Sequence, residues 1–392
     1  MYSILKGIKM LDLSRLLPGA LSSMILADMG VEVLKVEDTS EGDYMRWMSP
    51  MVNKLSAYFI LTNRNKKSMK LNLKSPQGKE IFLRLIKHYD VILESFRPGV
   101  MDRLGIGYEM LKKENPGLVY CAISGYGQDG PYRDLVGHDI NYIAQGGILG
   151  TTGTEQGKPV IPSVQIADIG VGSLMSAIGI LSGIIYRKST GKGLFVDISM
   201  LDGIIFWMHL AMAEYFAKGK LPKLGKEMLT GKYPCYNIYK TKDNQFIAVG
   251  ALESKFWATF CHIIKRPDLI EHQYATGGKR RKVLKEVKEI FRTKNRDEWV
   301  GLFKDKDVCL APVCSVEEVC RDIHLTHRGM FFEIDHPTEG RIKQINFPIK
   351  YLGENERENL SAPAHGEHTE EILRGLGYTD ESIKSFYEKG AI

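Results

Sequence analysis

The hexapeptide Gly137-His138-Asp139-Ile140-Asn141-Tyr142 packs an imidazole, a carboxylate, an amide and a phenol into six residues behind a glycine-rich turn. Thirty residues on, Asp168 closes an extended stretch at 160–167 and is followed at once by Gly170, Gly172 and a small, apolar segment reaching Tyr186. A carboxylate at a strand-to-helix junction is the expectation. If the fold brings His138 and Asp168 to opposite sides of one pocket, the protein holds two proton carriers of different basicity. That is the equipment for moving a proton on and off carbon. Each residue also has a structural reading, since an Asp ahead of a helix serves as an N-cap and a single His serves packing.

The elements that must position these groups read as alternating strands and helices. Residues 8–13 form a strand, 21–29 a short apolar helix ended by Gly30, and 31–36 a second strand, a β-α-β unit with a parallel sheet. The first loop has one glycine, so the dinucleotide fingerprint is absent there. Residues 43–61 are irregular, and their Met45, Trp47, Met48, Met51, Tyr58 and Phe59 either line an apolar pocket or cover the core. The basic cluster at 63–67 reads as a solvated loop before a strand at 68–73, and Ser75-Pro76 opens a helix at 79–87. A buried strand at 90–94 ends in Ser95-Phe96-Arg97-Pro98-Gly99. Ligands of open parallel sheets sit at the carboxyl ends of strands, so Arg97 and, one turn later, Arg103 offer guanidinium groups suited to phosphate oxygens.

A strand at 118–124 leads into Gly125-Tyr126-Gly127-Gln128-Asp129-Gly130-Pro131, which matches G-x-G-x-x-G without a helix after it and reads as a tight loop delivering the chain to His138. A strand at 194–199 and a long amphipathic helix at 200–218 follow, and then the composition shifts over 219–232 to Lys, Gly, Leu and Pro, a linker. A new unit begins with strands 236–241 and 245–250 around Lys242-Asp243-Asn244, a hairpin signal, and continues with helices near 255–264, 281–292 and 296–303. Glu253, just past the second hairpin strand, suits a helix start. Beyond Met330, strands at 331–334 and 341–347 lead to a polar tail in which His365 and His368 lie in a Glu-rich stretch.

With 392 residues, 44% hydrophobic and 26% charged, the chain is globular in composition and long enough for two domains. A net charge of +6, spread without a basic tail, gives no support to nucleic-acid binding and suits a pocket for a polyanionic small molecule. The six cysteines make no Cys-x-x-Cys pattern, so a reduced, cytoplasmic life is expected. The amino terminus carries no signal-peptide pattern, and the longest apolar run, 174–186, is too short to span a bilayer. No membrane partner is expected.

Taken together these segments resemble the family III CoA-transferases, the CaiB/BaiF family, and within it the α-methylacyl-CoA racemases. The resemblance rests on residues 7–37, 74–78, the Arg-Pro-Gly-Val and Arg-Leu-Gly-Ile-Gly elements of 94–107, 124–131, 137–142, 168–172, 191–203, 249–256 and the Gly366-Glu367-His368-Thr369-Glu370-Glu371-Ile372-Leu373 tail. It implies a large Rossmann-like α/β domain built from both chain ends (1–218 and 331–392), a smaller α+β domain (219–330) between them, and a homodimer of interlocked subunits. CoA would be held around Leu71, Asn72 and Lys74, by Ser95, Phe96, Arg97 and Arg103, and by Gly137, Asp139, Ile140, Asn141 and Tyr142. Where such racemases place an Arg after the second strand this chain has Glu37-Asp38, and Lys66 or Lys67 is the expected substitute.

Two activities share the scaffold. In the transferases the residue matching Asp168 is a nucleophile that passes through a mixed anhydride to an aspartyl-CoA thioester. In the racemases it is an acid/base facing the His of a Gly-His-Asp-Ile-Asn-Tyr element, with a Glu matching Glu253 supporting that His. Having both His138 and Glu253, the chain is expected to be a 2-methylacyl-CoA racemase acting through an enolate, with no cofactor beyond the CoA of its acyl-CoA substrate. A CoA-transferase is the first alternative and a non-catalytic CoA-ester binding protein the second.

Overall fold

The computed structural model describes residues 1–154, 156–354 and 357–392. The chain divides into two compact units. The larger holds residues 1–146, 162–207 and 326–392, and the smaller holds 147–161 and 208–325.

The larger unit is built on a parallel sheet in the order β3-β2-β1-β4-β5-β6, with β1 Lys9–Asp12, β2 Glu32–Glu37, β3 Lys66–Lys70, β4 Val91–Glu94, β5 Val119–Ser124 and β6 Leu194–Ser199. β4 and β5 are buried along their whole length, as strands covered on both faces must be, which explains their unbroken apolar runs. The chain reverses direction across the sheet between β1 and β4, the switch point at which open α/β sheets leave a crevice. The core joins both chain ends: Leu373, Ile383, Phe386 and Ile392 pack with Leu71, Ile81, Phe82 and Leu85. The same tail covers the edge strand β3, where the Lys70 amide donates to Thr369 Oγ1 (3.0 Å) and the His368 amide to the Ser68 carbonyl (2.9 Å). His365 and His368 are therefore tied down, through Asp38 O (2.9 Å) and Ser68 N (3.3 Å).

Several local expectations are corrected. The stretch 160–167 forms no strand; a π-helical turn, Ile166–Ser173, starts there and runs directly into the helix Leu174–Thr190. The apolar helix is thus Ile166–Thr190, 25 residues with mean hydropathy 1.8 over its most apolar window. By length and composition it could cross a membrane, but half of that window is buried in the fold. Its small residues permit close packing: a Cβ at Gly183 would fall 2.6 Å from Val119 of β5. The helix expected at 200–218 breaks at Met208 into Met200–Trp207 and His209–Lys218, and the boundary between units falls at that break rather than at residue 218.

The cluster at 63–67 is not a solvated loop. Asn63, Arg64, Asn65 and Lys66 are all buried. Arg64 forms a bidentate pair with Asp28 (3.0 and 2.6 Å), and Lys66 Nζ donates to Ala20 O and Asn63 Oδ1, both at 2.8 Å. Composition marks charge, but its solvation depends on a partner 36 positions away.

The smaller unit has an antiparallel sheet, β7 Tyr236–Lys240, β8 Phe246–Gly250 and β9 Leu310–Pro312 in that order. The helices Ser254–Ile263, Gly277–Phe291 and Arg296–Phe303 supply an aromatic core in which Tyr239 stacks on Phe291 and Trp257 on Phe260. Asn244 takes a left-handed φ of 63° in the hairpin turn, a conformation its short amide tolerates.

The Arg64–Asp28 pair generates the first prediction. Arg64→Ala leaves the Asp28 carboxylate buried without its guanidinium, which lowers unfolding free energy by about 3–5 kcal/mol. Adding Asp28→Ala recovers part of the loss. Urea denaturation of the single and double variants measures both.

Candidate functional site

The carboxyl ends of all six parallel strands open onto one region of the larger unit. A cleft of about 750 Å³ is lined by Arg15 after β1, Ser95, Phe96, Arg97 and Pro98 after β4, Ser124 and Gly125 at β5, and Met200 after β6. Gly137, His138, Asn141, Tyr142 and Asp168 complete its wall. A neighbouring cavity of about 550 Å³ shares Arg15, Phe96 and Val100 with it and is bounded by Glu37, Asp38, Leu71, Asn72 and Lys74, after β2 and β3. Together they form an elongated site with one phenyl ring, Phe96, between its two parts.

His138 is solvent-exposed at the N-cap of the helix Asp139–Gln145. Its amide donates to Asn141 Oδ1 (3.0 Å), and Tyr142 Oη donates to Gly137 O (2.6 Å). Asn141 and Tyr142 thereby set the turn that presents the imidazole. Gly137 is required on steric grounds, because a Cβ there would lie 2.8 Å from the Tyr142 ring.

Asp168 is half-buried in the first turn of Ile166–Ser173. The amides of Ala167 (2.6 Å) and Asp168 (3.1 Å) both donate to Asp139 Oδ1. The residue beside His138 is thus bonded to the backbone of Asp168, and the two candidate proton carriers sit on segments stitched together. It follows that these two helix-start amides are not free to hold a substrate oxyanion. Burial, then the charge of Asp139, pushes the Asp168 carboxyl up to about 7. That is where a proton carrier works best near neutral pH.

The remaining expected residues divide clearly. Leu71, Asn72, Lys74, Ser95, Phe96, Arg97, Gly137, Asn141 and Tyr142 line the two cavities. Asp139 turns its carboxylate to the Ala167 and Asp168 amides, and neither it nor Ile140 lines the cleft. Arg103 is also outside the cleft lining; its guanidinium and that of Arg133 converge over Gly99, where a Cβ would meet them at 3.3 and 3.1 Å. Glu253 belongs to the smaller unit, exposed at the N-cap of Ser254–Ile263. Its turn is pinned there by Gln273 Nε2 (2.8 Å) and Tyr274 Oη (2.5 Å), both donating to Leu252 O.

Neither lysine expected to replace the missing Arg reaches this site. Lys66 is enclosed beneath the sheet, its ammonium pushed down to about 7 by burial against the pull of Asp12, and Lys67 pairs with Glu371 (2.6 Å). The cation beside Asp38 is Arg15, at 2.7 Å, on the wall of both cavities. Sequence reasoning passed over Arg15, Tyr44 and Arg133. The strand-end rule that singled out Arg97 applied equally to Arg15, three residues past β1. Of the aromatic and Met candidates in 43–61, Met45 and Phe59 are core, Trp47, Met48, Met51 and Tyr58 are exposed, and the cleft wall receives Tyr44.

The described residues include no group of three His, Cys, Asp or Glu side chains placed to hold a metal ion. What the site offers is a carboxyl, an imidazole and several guanidinium groups along an elongated cleft.

Comparison with known proteins accords with this architecture. The profile of CoA-transferase family III matches residues 5–369. The chain is 35% identical to the human succinyl-CoA:glutarate CoA-transferase, over 99% of this chain and 90% of that protein. It is also 35% identical to the human alpha-methylacyl-CoA racemase, over 97% and 95%. A crystal structure of a CaiB/BaiF family protein from Brucella suis superposes with a TM-score of 0.83 at 29% identity, covering 96% of this chain and all of that one. The chain therefore belongs to CoA-transferase family III.

Proposed function

We propose that this protein is an α-methylacyl-CoA racemase, interconverting (R)- and (S)-2-methylacyl-CoA thioesters by proton transfer at C2. The observation that carries this reading is that His138 and Asp168 line one cleft and are coupled through Asp139. An acyl-CoA would lie with its nucleotide end toward Asn72 and Lys74 and its thioester between the imidazole and the carboxyl. One group removes the α-proton and the other returns a proton to the opposite face of the planar enolate. The pair must hold a single shared proton to begin, whichever enantiomer is bound. No cofactor is needed beyond the CoA that the substrate carries.

The working form in this reading is a cytoplasmic homodimer of interlocked subunits, in which Glu253 of the partner subunit orients His138 as a carboxylate orients the His of a hydrolytic triad. Exposed apolar side chains such as Ile185 and Phe216, at 69% and 78%, support the need for a partner surface.

A specific observation keeps the CoA-transferase reading as the alternative: the chain is as similar to a transferase as to a racemase. There Asp168 would attack the acyl-CoA carbonyl, and hydroxylamine would trap an intermediate at Asp168 in the presence of acyl-CoA. Racemisation leaves that carboxyl unmodified, as mass spectrometry of the Asp168 peptide will read.

Two predictions follow from the racemase chemistry. His138→Ala and Asp168→Ala each reduce inversion at C2, read as formation of the opposite enantiomer, by about 10² to 10⁴, with binding of the CoA ester retained; undiminished inversion in either variant overturns the assignment. The pH dependence of kcat/KM is bell-shaped and the same from either enantiomer, because interconversion at an equilibrium constant of one forces equal profiles. Activity falls toward both extremes of pH, because a pair that must hold one proton between its two groups fails with two and fails with none. A transferase needing only ionised Asp168 loses activity below about pH 7, from the value of that carboxyl, and has no alkaline limb from this pair.

A further inference from the structure

Glu94, the last residue of β4, is 5% exposed and forms no ion pair among the described residues. Its Oε2 accepts from the Phe96 amide at 2.7 Å, and Tyr120 Oη lies 3.4 Å from Oε1. The carboxyl borders a small cavity of about 190 Å³. Asp102, Tyr108, Glu109 and Tyr120 share its wall, as does Gln128, whose Nε2 is buried without a partner. Asp197 of β6 and the Cys121 thiol of β5 also act on this group or feel it electrostatically. Arg103 and Arg133 converge over Gly99, another wall residue, and neither pairs with Glu94. A carboxyl so placed faces acids and phenols, and its one backbone partner among the described residues is the Phe96 amide, in the loop between the two cavities.

We propose that Glu94 is a positioning residue that holds the 95–99 loop in its ligand-binding shape only while it carries a proton, so that alkaline pH loosens the grip on a CoA ester. Burial pushes this carboxyl up to about 8; its bonds to Phe96 and Tyr120 oppose the rise, and Asp102 and Asp197 add to it. Ionised, the group has no ion-pair partner among the described residues, since Arg103 and Arg133 lie over Gly99 without reaching it, and it is driven toward water. Leaving the cavity breaks the bond to the Phe96 amide. Phe96 walls both cavities and has the Arg15 guanidinium 5.9 Å from its ring, so the disturbance reaches both parts of the site.

The inference rests on the proposed function only in taking a CoA ester as the ligand. The test uses the full chain with acetyl-CoA, whose acylated thiol does not titrate, between pH 7 and 9.5. Affinity of the native protein is expected to fall roughly 30-fold across that range, the loss from one proton released near pH 8. Glu94→Gln, neutral at every pH, keeps its affinity throughout, and Glu94→Ala binds weakly at all of them. A flat native profile, or a Gln variant that behaves like Ala, overturns the proposal. Thermal unfolding without ligand is the second readout. The folded state holds this proton more tightly than the unfolded state, so native stability is full below the ordinary carboxylate range and is lost as pH rises to about 8. The melting temperature of Glu94→Gln minus that of the native protein therefore grows from pH 5 to 8 and then levels. If no variant binds acetyl-CoA, the ligand reading fails, and the melting profiles alone decide the role of Glu94: parallel profiles overturn it.

Discussion

One carboxylate holds the site together. Asp139 Oδ1 accepts both the Ala167 and Asp168 amides, joining the helix that begins after His138 to the π-helical turn that carries Asp168. Helix starts leave amide donors unsatisfied, and a buried orphan donor costs about 1–3 kcal/mol, so the contact is strongly specified. It also places a negative charge beside Asp168 and so helps keep that carboxyl protonated near neutrality. A single hydrogen-bonding solution thus sets the placement and the basicity of the candidate acid/base group together. π-Helical turns hold fewer well-aligned bonds than α-helices and recur at functional sites; here the turn brings Asp168 to the cleft wall.

Beneath the cleft floor the strand ends are tied by buried charges. Lys35 Nζ, fully enclosed, meets Asp43 at 2.9 Å and the Ser14 carbonyl at 2.8 Å. Glu37 takes a bidentate grip from Arg46, at 2.8 and 2.7 Å, and is held down to about 2 despite its burial, by Arg46 and then Lys35. Asp12 is kept ionised against burial by Lys35 and Lys66. Ion pairs of this kind contribute little net stability over well-packed apolar groups, but they tolerate few alternative arrangements. In this molecule they hold the loops after β1 and β2, which carry Arg15 and Asp38 to the walls of the two cavities.

Much of this was legible from local pattern. The unbroken apolar runs of β4 and β5 announced a sheet covered on both faces, and the strand-end rule led from that sheet to Ser95, Phe96 and Arg97 on the cleft wall. Alternation around Lys242-Asp243-Asn244 marked the hairpin of the smaller unit. Pattern failed where a side chain's role is set by a distant partner. Arg64 and Lys66 carry the signature of a surface loop and are core residues, because Asp28, Asp12 and Asn63 wait for them. The break at Met208 was likewise invisible in a periodicity that continues across it.

The amino-acid sequence by itself determined the strands of the parallel sheet, the hairpin of the smaller unit, the glycines that close approach requires, and the presence of an imidazole and a carboxyl in recognisable surroundings. These follow from interactions over a few residues, which composition and spacing encode directly. Only the tertiary structure decided that Asp139 serves the Asp168 turn and not the ligand cleft, that Arg15 and not a lysine of β3 stands beside Asp38, and that Glu94 is sealed among acids. The physical reason is the same in each case: desolvation and hydrogen-bond satisfaction are decided by which atoms meet in space, and those atoms come from segments far apart along the chain.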